Sequence, residues 1–343
     1  PTLRIYRSLR WGKLAELLLT DLRSYRSAHP VPESLMEELG LPLKPIELVD
    51  IMDGGRAYNG GNPPDTLPFG DAPPPNPARD REPGTLFGDT QKRWFRERLS
   101  TSDARWKVWG NSLPILPFRL DLASIPMAGM HDSVLGTDAW NGYPGEYREL
   151  MQYLEAEQLS GVVSLSGDHH MQSAGTLVTD PDREGTGAVA VDFNVTGISS
   201  TPHFLGVLHS AQQDHGGFMQ LVAREEDGEL QATWDLTLQQ GALSSIAYDR
   251  TGSTRLARWL GPNERNPGLA YMDTNTNGYG LARFDEQGCE VELVTIEAPL
   301  SEPAAGGSPV LRRARFELPY WEGGEEPALA GPVFTGVAPL GWE

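Results

Sequence analysis

Apolar residues fall along this chain in short bursts that stop at charged or glycine-bearing loops. Residues 15–20 form an aliphatic run that ends in Asp21-Leu22-Arg23-Ser24-Tyr25-Arg26. A run of that length between polar residues predicts a buried strand, and in an open α/β sheet ligands bind at the loop past such a strand. Residues 106–109 predict a second strand, which stops at Gly110-Asn111-Ser112. Val162–Ser166 predicts a third and runs straight into Gly167-Asp168-His169-His170. Trp94, Phe95 and Leu99 share one helical face behind a cap at Asp89 or Thr90. Tyr147, Leu150, Met151 and Leu154 stripe a helix over 144–158, which opens on the proline that suits a first turn. Further strands are predicted over 188–196, 217–223, 230–235, 278–284 and 290–296, with turn signals at Glu226-Asp227-Gly228 and Glu286-Gln287-Gly288.

Two stretches lose the pattern. Residues 27–87 hold Gly60-Gly61-Asn62-Pro63-Pro64 and Ala72-Pro73-Pro74-Pro75-Asn76-Pro77. Such a sequence forms neither helix nor central strand, because proline removes donors and glycine adds chain entropy. The segment reads as a Pro/Gly-rich insertion across the surface and over the site. Residues 301–343 read as a Pro/Gly-rich tail that wraps the surface. What remains, within 1–300, reads as one domain without internal repeats.

Composition narrows the function classes. Hydrophobic residues make up 39% and charged residues 22%, an ordinary globular profile. No apolar run approaches the ~18 residues of a membrane-spanning helix. Lys plus Arg total 28 against 47 acidic residues, a net charge of −19. That charge repels a phosphate backbone, so sequence-blind nucleic-acid binding is not expected, and it attracts divalent cations. Cys289 stands alone, so no intrachain disulfide forms. The chain opens at Pro1 without a basic-then-apolar leader, which reads as processing or truncation.

The densest chemistry is Ser166-Gly167-Asp168-His169-His170. A carboxylate and an imidazole two residues apart, after a glycine that lets the backbone turn, are a ligand pair for Zn, Fe or Mn. A two-metal centre built on such a turn clamps phosphate and activates water. The same residues also read as a structural Asp beside two exposed histidines. Arg23 presents a planar donor fork suited to phosphate oxygens; the plainer reading is an ion pair of Asp21 with Arg23 or Arg26. In Trp140-Asn141-Gly142-Tyr143-Pro144 the Asn-Gly demands a turn, and the aromatics either wall a pocket or pack as an ordinary loop. Asn111 offers an amide oxygen to a metal or caps a turn. His131-Asp132 are adjacent and seldom face each other, and His203, His209 and His215 lack ligand spacing. Ser199 and Ser200 lack a nucleophile elbow. No P-loop or dinucleotide fingerprint occurs. Asn194-Val195-Thr196 fits a glycosylation sequon inside a predicted strand.

Taken in order, these pieces resemble the PhoD-like phosphatases. Trp11-Gly12 followed by Leu19-Thr20-Asp21-Leu22-Arg23-Ser24-Tyr25-Arg26 is similar to that family's early segment. Gly88-Asp89-Thr90-Gln91 with Trp94 and Leu99 resembles its helix, and Trp106-Lys107-Val108 with Gly110-Asn111-Ser112 the strand that follows. Asp138-Ala139-Trp140-Asn141-Gly142-Tyr143-Pro144, Ser166-Gly167-Asp168-His169-His170 and a late turn over 275–279 complete the set. The resemblance implies an α/β fold: a metallophosphoesterase-type sandwich of two mixed β-sheets flanked by helices, here lacking its N-terminal strands. It implies metal-dependent hydrolysis of phosphomonoesters or phosphodiesters, with iron and calcium as the metals and zinc or manganese as alternatives. Asp168 and His170 become metal ligands and Arg23 the phosphate holder, while His169 protonates the leaving group. Asn141 stands where the family usually has Asp, which weakens a metal role there. The family's early metal-binding segments have no counterpart here, so a second chain carrying that half of the site is the implied partner. The competing reading is a non-catalytic fragment or a structural subunit. The resemblance also places the protein in the periplasm or outside the cell.

Overall fold

The three strands expected from the apolar bursts lie side by side in one sheet of the computed structural model, which describes residues 4–70, 72–127, 129–213, 218–226, 228–299 and 307–342. They are β2 (Ala15–Leu19), β3 (Trp106–Gly110) and β4 (Val162–Ser166), preceded by β1 (Arg7–Trp11) at the edge. With β5 (Gln172–Val178), β6 (Ala188–Asn194) and β7 (Leu269–Asp273) they make a seven-stranded sheet in the order β1-β2-β3-β4-β6-β5-β7. β2, β3, β4 and β6 are mutually parallel; β1 and β5 run against them, so the sheet is mixed. These four strands and β7, which runs against β5 and so with them, therefore deliver their following loops to the same sheet edge. That edge carries Asp21, Arg23, Asn111 and the Gly167–His170 turn.

Period-2 alternation sorts the side chains to two faces. Trp109 points to one face, where it packs with Phe87, with Phe95 and Leu99 of α3 (Gly88–Thr101), and with Tyr147, Leu150 and Met151 of α4 (Pro144–Ala156). Trp106 and Val108 point to the other, beside Val163, Val191 and Phe193. A second sheet covers that rear face: β8 (Asn277–Phe284), β9 (Gly288–Ile296), β10 (Val310–Pro319) and β11 (Ala330–Gly336), antiparallel throughout. Val291, Leu293, Phe316 and Leu318 fill the space between the sheets. Cys289 is buried there as a free thiol, its pKa pushed up to about 12 by burial and then by Asp285 and Glu290.

Several expectations need correction. Residues 27–87 are not irregular throughout. α1 (Glu33–Leu39) and α2 (Ile46–Gly54) fold there and bury Leu35, Met36, Leu48, Val49, Ile51 and Met52 in a cluster of their own. Prolines at 32 and 45 sit where each helix begins, a place proline suits, so they punctuate helices and do not abolish them. Residues 310–319 and 330–336 are strands, because Ala314, Phe316 and Leu318 alternate inward onto the core. The run at 217–223 becomes a helical turn, and the strand at 230–235 ends early. Met219–Val222 is helical, Ala223–Glu226 pairs with Glu229–Ala232, and a helix begins at Trp234. The second sheet is antiparallel and not mixed. Among the described residues no helix is long and apolar enough to cross a membrane.

The cap of α3 also differs. Neither Asp89 nor Thr90 caps it. The Glu146 carboxylate, brought in by α4, accepts from the backbone N–H of Leu86 (2.6 Å) and Phe87 (3.1 Å), while the Thr85 hydroxyl accepts from Gly88 N–H (2.9 Å). A carboxylate there meets both the orphan donors and the positive end of the helix dipole.

Candidate active-site cleft

α3 positions the first functional side chain. Gln91 is fully buried; its amide oxygen accepts from Asp21 N–H at 2.7 Å, and its amide nitrogen donates to the Asp21 carbonyl at 2.8 Å. This side chain extends the pairing of β2 by one residue and fixes where the loop begins. Asp21 then bends the chain, its Oδ1 accepting from the backbone N–H of Arg23 (3.1 Å) and Ser24 (2.9 Å). Burial works against the Asp21 charge, but the Ser24 and Arg23 bonds outweigh it and hold the carboxyl below its ordinary value. Arg23 does not pair with Asp21. Its guanidinium reaches across the sheet edge to Asp168 (3.5 Å) and Asp138 (3.8 Å), and Arg26 donates to the Asp138 carbonyl.

The β4 turn supplies the second part. Asp168 and His170 both adopt left-handed backbone conformations, φ 79° and 54°. Such strain in non-glycine residues persists only where surrounding structure enforces it, and it clusters at functional sites. The His170 Nδ1 donates to the Thr201 carbonyl at 2.7 Å, which leaves Nε2 with the ring's lone pair. Below the turn lies Asp192, fully buried on β6 opposite Ser164. Burial pushes Asp192 up to about 7, against the bonds it accepts from the hydroxyls of Ser164 and Ser166.

Asp138, Asn141, Asp168, His169 and His170 line one cleft of about 770 Å³. His203, set aside for want of spacing, lines it too, at the start of α5 (His203–Gln213), where its N–H donates to the His170 carbonyl. The rings of His169 and His203 both stand against Phe118, at 5.9 Å and 5.3 Å. His169 Nδ1 and His203 Nε2 are buried without a hydrogen-bond partner. Burial lowers the pKa of His169; burial and then His169 and His170 push His203 down to about 4. Both imidazoles are neutral at pH 7. The one sequence signal for His203 was its place in the loop after a parallel strand, not its spacing from other histidines. His215 lies outside the described residues.

Other candidates have structural partners. The Asn141 amide oxygen accepts from Phe118 N–H at 3.2 Å. Asn111 accepts from Trp140 Nε1 and Leu113 N–H at the long distance of 3.4 Å each. Asp132 pairs with Arg265 and accepts from Ala123 N–H, while the adjacent His131 stacks edge-on against Phe69. Asn194 is fully buried and donates to the Met171 carbonyl, so the sequon is no glycan acceptor. Asn277, from the late turn, donates to the carbonyls of Gly197 (3.2 Å) and Ser200 (2.7 Å) and thereby ties down the loop leading to His203. Asn277→Ala is expected to lower stability by about 1–2 kcal/mol in urea unfolding, with an unchanged m-value.

A metal would find part of a donor set here. Asp168 offers a carboxylate, and His170 offers Nε2 with its other nitrogen held by a carbonyl, the outer-shell arrangement of metal-bound imidazoles. Among the described residues, however, no three of His, Cys, Asp and Glu gather closely enough to hold an ion. Catalytic zinc sites use three protein ligands, so these side chains do not by themselves make a complete centre.

Comparison with known proteins agrees with the order of these parts. The pattern of the family described as PhoD-like phosphatase matches residues 1–234. Alkaline phosphatase D of Bacillus subtilis (strain 168) is 24% identical over 200 residues, which is 58% of this chain and 27% of its own length. A solved structure titled "Structure of PhoD" covers 99% of this chain and 46% of its own, with a TM-score of 0.55 and 15% identity, a likeness of fold. This chain thus spans about half the length of that structure and about a quarter of the curated relative.

Proposed function

This chain belongs to the PhoD-like phosphatase family, and on that premise we propose that its cleft hydrolyses phosphate esters. The observation that supports this reading is the convergence of two strand ends. The donor fork of Arg23 stands 3.5 Å from Asp168, beside the strained turn that presents His170. In this reading Arg23 exchanges its loose contacts with Asp138 and Asp168 for two non-bridging phosphate oxygens, a bidentate geometry that the guanidinium matches. The lone pair on His170 Nε2 takes a proton from the attacking water, and the Thr201 carbonyl holds the ring in the tautomer that does so. His169 and His203 are neutral and meet the ester as hydrogen-bonding partners. A protonated His169 acting on the leaving oxygen would oppose the effect of its burial. No step is assigned to a metal. Whether the ester is a monoester or a diester is read from two chromogenic substrates, 4-nitrophenyl phosphate and bis(4-nitrophenyl) phosphate.

Arg23→Ala is expected to lower kcat/KM on the better of these by at least tenfold, on the order of 1.4 kcal/mol. Arg23→Lys keeps the charge and loses the fork, so it recovers only part of that. An unchanged kcat/KM in Arg23→Ala would remove the phosphate-holding role and with it the main support for hydrolysis at this cleft.

A further inference from the structure

Resting on the phosphate-ester reading of this cleft, we infer that the organic group of its substrate is apolar, a ring or an alkyl chain and not a sugar or a glycerol. Beyond Asp138, Asp168 and the histidines, the lining includes the large apolar side chains of Leu43, Phe118, Leu135, Val207 and Phe218. These come from five separated places: the segment before α2, the loops at 118 and 135, the second turn of α5, and the residue before Met219. Phe118 belongs to the buried cluster that contains Met171, Phe204 and Trp234. The other four pack against that cluster and remain partly uncovered on the cleft. Single exposed apolar residues are ordinary. Five converging on one cavity beside a cationic fork make a pocket of the usual ligand-binding kind, apolar with a few placed polar groups.

Away from the histidines, Asp138 and Asp168, the polar atoms of the lining are largely engaged. The Asn141 oxygen is taken by Phe118 N–H, the Thr201 carbonyl by His170, and the Ser210 hydroxyl donates to the Gly206 carbonyl. Sugar hydroxyls placed against the five apolar side chains would give up water without replacement bonds, which is costly. An apolar group gains with every methylene it covers. At about 770 Å³ the cleft has room for such a group beside the phosphoryl head.

Titration calorimetry of the purified protein with methyl- and butylphosphonate, 2,3-dihydroxypropylphosphonate and 1-butanol tests this without any turnover. Affinity should rise roughly fourfold per methylene, on the order of sixtyfold from methyl to butyl. Val207→Ser should cut butylphosphonate affinity about tenfold. Leu205→Ser, on the same helix but exposed and outside the lining, should keep the wild-type gradient. Equal binding of methyl- and butylphosphonate, or tighter binding of 2,3-dihydroxypropylphosphonate, overturns the apolar pocket and leaves the phosphate reading standing. If butanol binds as well as butylphosphonate and methylphosphonate not at all, the phosphate reading fails instead. Binding of none of the four ends both.

Discussion

Glu146→Ala is expected to lower the free energy of unfolding by about 3 kcal/mol, and Glu146→Gln by about half of that. The Glu146 side chain is 1% exposed and serves four donors at once: Leu86 N–H, Phe87 N–H, the Thr85 hydroxyl and the Lys92 ammonium. Alanine leaves two backbone donors buried without an acceptor. Lys92 keeps Glu149 at 2.8 Å, so the loss lies mainly in the orphaned amides and not in a broken ion pair. Glutamine returns one neutral oxygen, and charged acceptors are roughly twice as strong as neutral ones. Urea unfolding checks this; equal losses in the two variants would mean that charge, not hydrogen bonding, holds the helix start. The effect also reaches the cleft. Phe87 stacks on Phe95 and Trp109 and meets Trp140 edge-on, and four residues after Phe87 comes Gln91, which holds Asp21.

Asp192→Asn is expected to gain stability relative to the wild type as pH rises. Below about 3.8 the Asp192 carboxyl is protonated in both folded and unfolded chains. Between 3.8 and about 7 the unfolded chain releases a proton that the folded chain still holds, so wild-type stability falls as pH rises. Above about 7 the loss levels off, at on the order of 3–4 kcal/mol. Asparagine keeps the shape and escapes the titration. The stability difference between variant and wild type should therefore shift toward the variant by about 3 kcal/mol from pH 4 to pH 8. A difference that stays flat across that range would show that Asp192 is ionised in the folded protein at neutral pH.

The elements legible in the sequence were those whose pattern is complete in themselves. Trp106–Gly110 and Val162–Ser166 are buried on both faces, Ala15–Leu19 is buried on one and half-buried on the other, and all three read as apolar runs. The helix at Pro144–Ala156 carries its own stripe and its own first-turn proline. Asp168, His169, His170 and Arg23 were legible because each follows such a strand. What could not be read depends on partners far along the chain. Glu146 caps a helix that starts 58 residues before it, as 146 minus 88 shows, and His203 joins the cleft only because the start of α5 returns to the turn after β4, where its N–H meets the His170 carbonyl. α1 and α2 were hidden by their neighbours: prolines that start helices look, in composition alone, like prolines that prevent them. Residues 310–319 did alternate, but the glycines and prolines around them drew the eye from the period. At 219–222 a short apolar run was compatible with strand or helix, and burial against Trp234 favoured the helix.

The covering of the main sheet by β8–β11 has a consequence for how the protein is made. Those strands follow, in chain order, the face they cover, which is built from Trp106, Val108, Val163, Val191 and Phe193. At about 5–20 residues per second, roughly 5–20 seconds pass between synthesis of Phe193 and of the first covering strand. Throughout that interval the nascent chain displays this apolar face uncovered, so a chaperone that holds it until the second sheet arrives is expected to lower aggregation during synthesis.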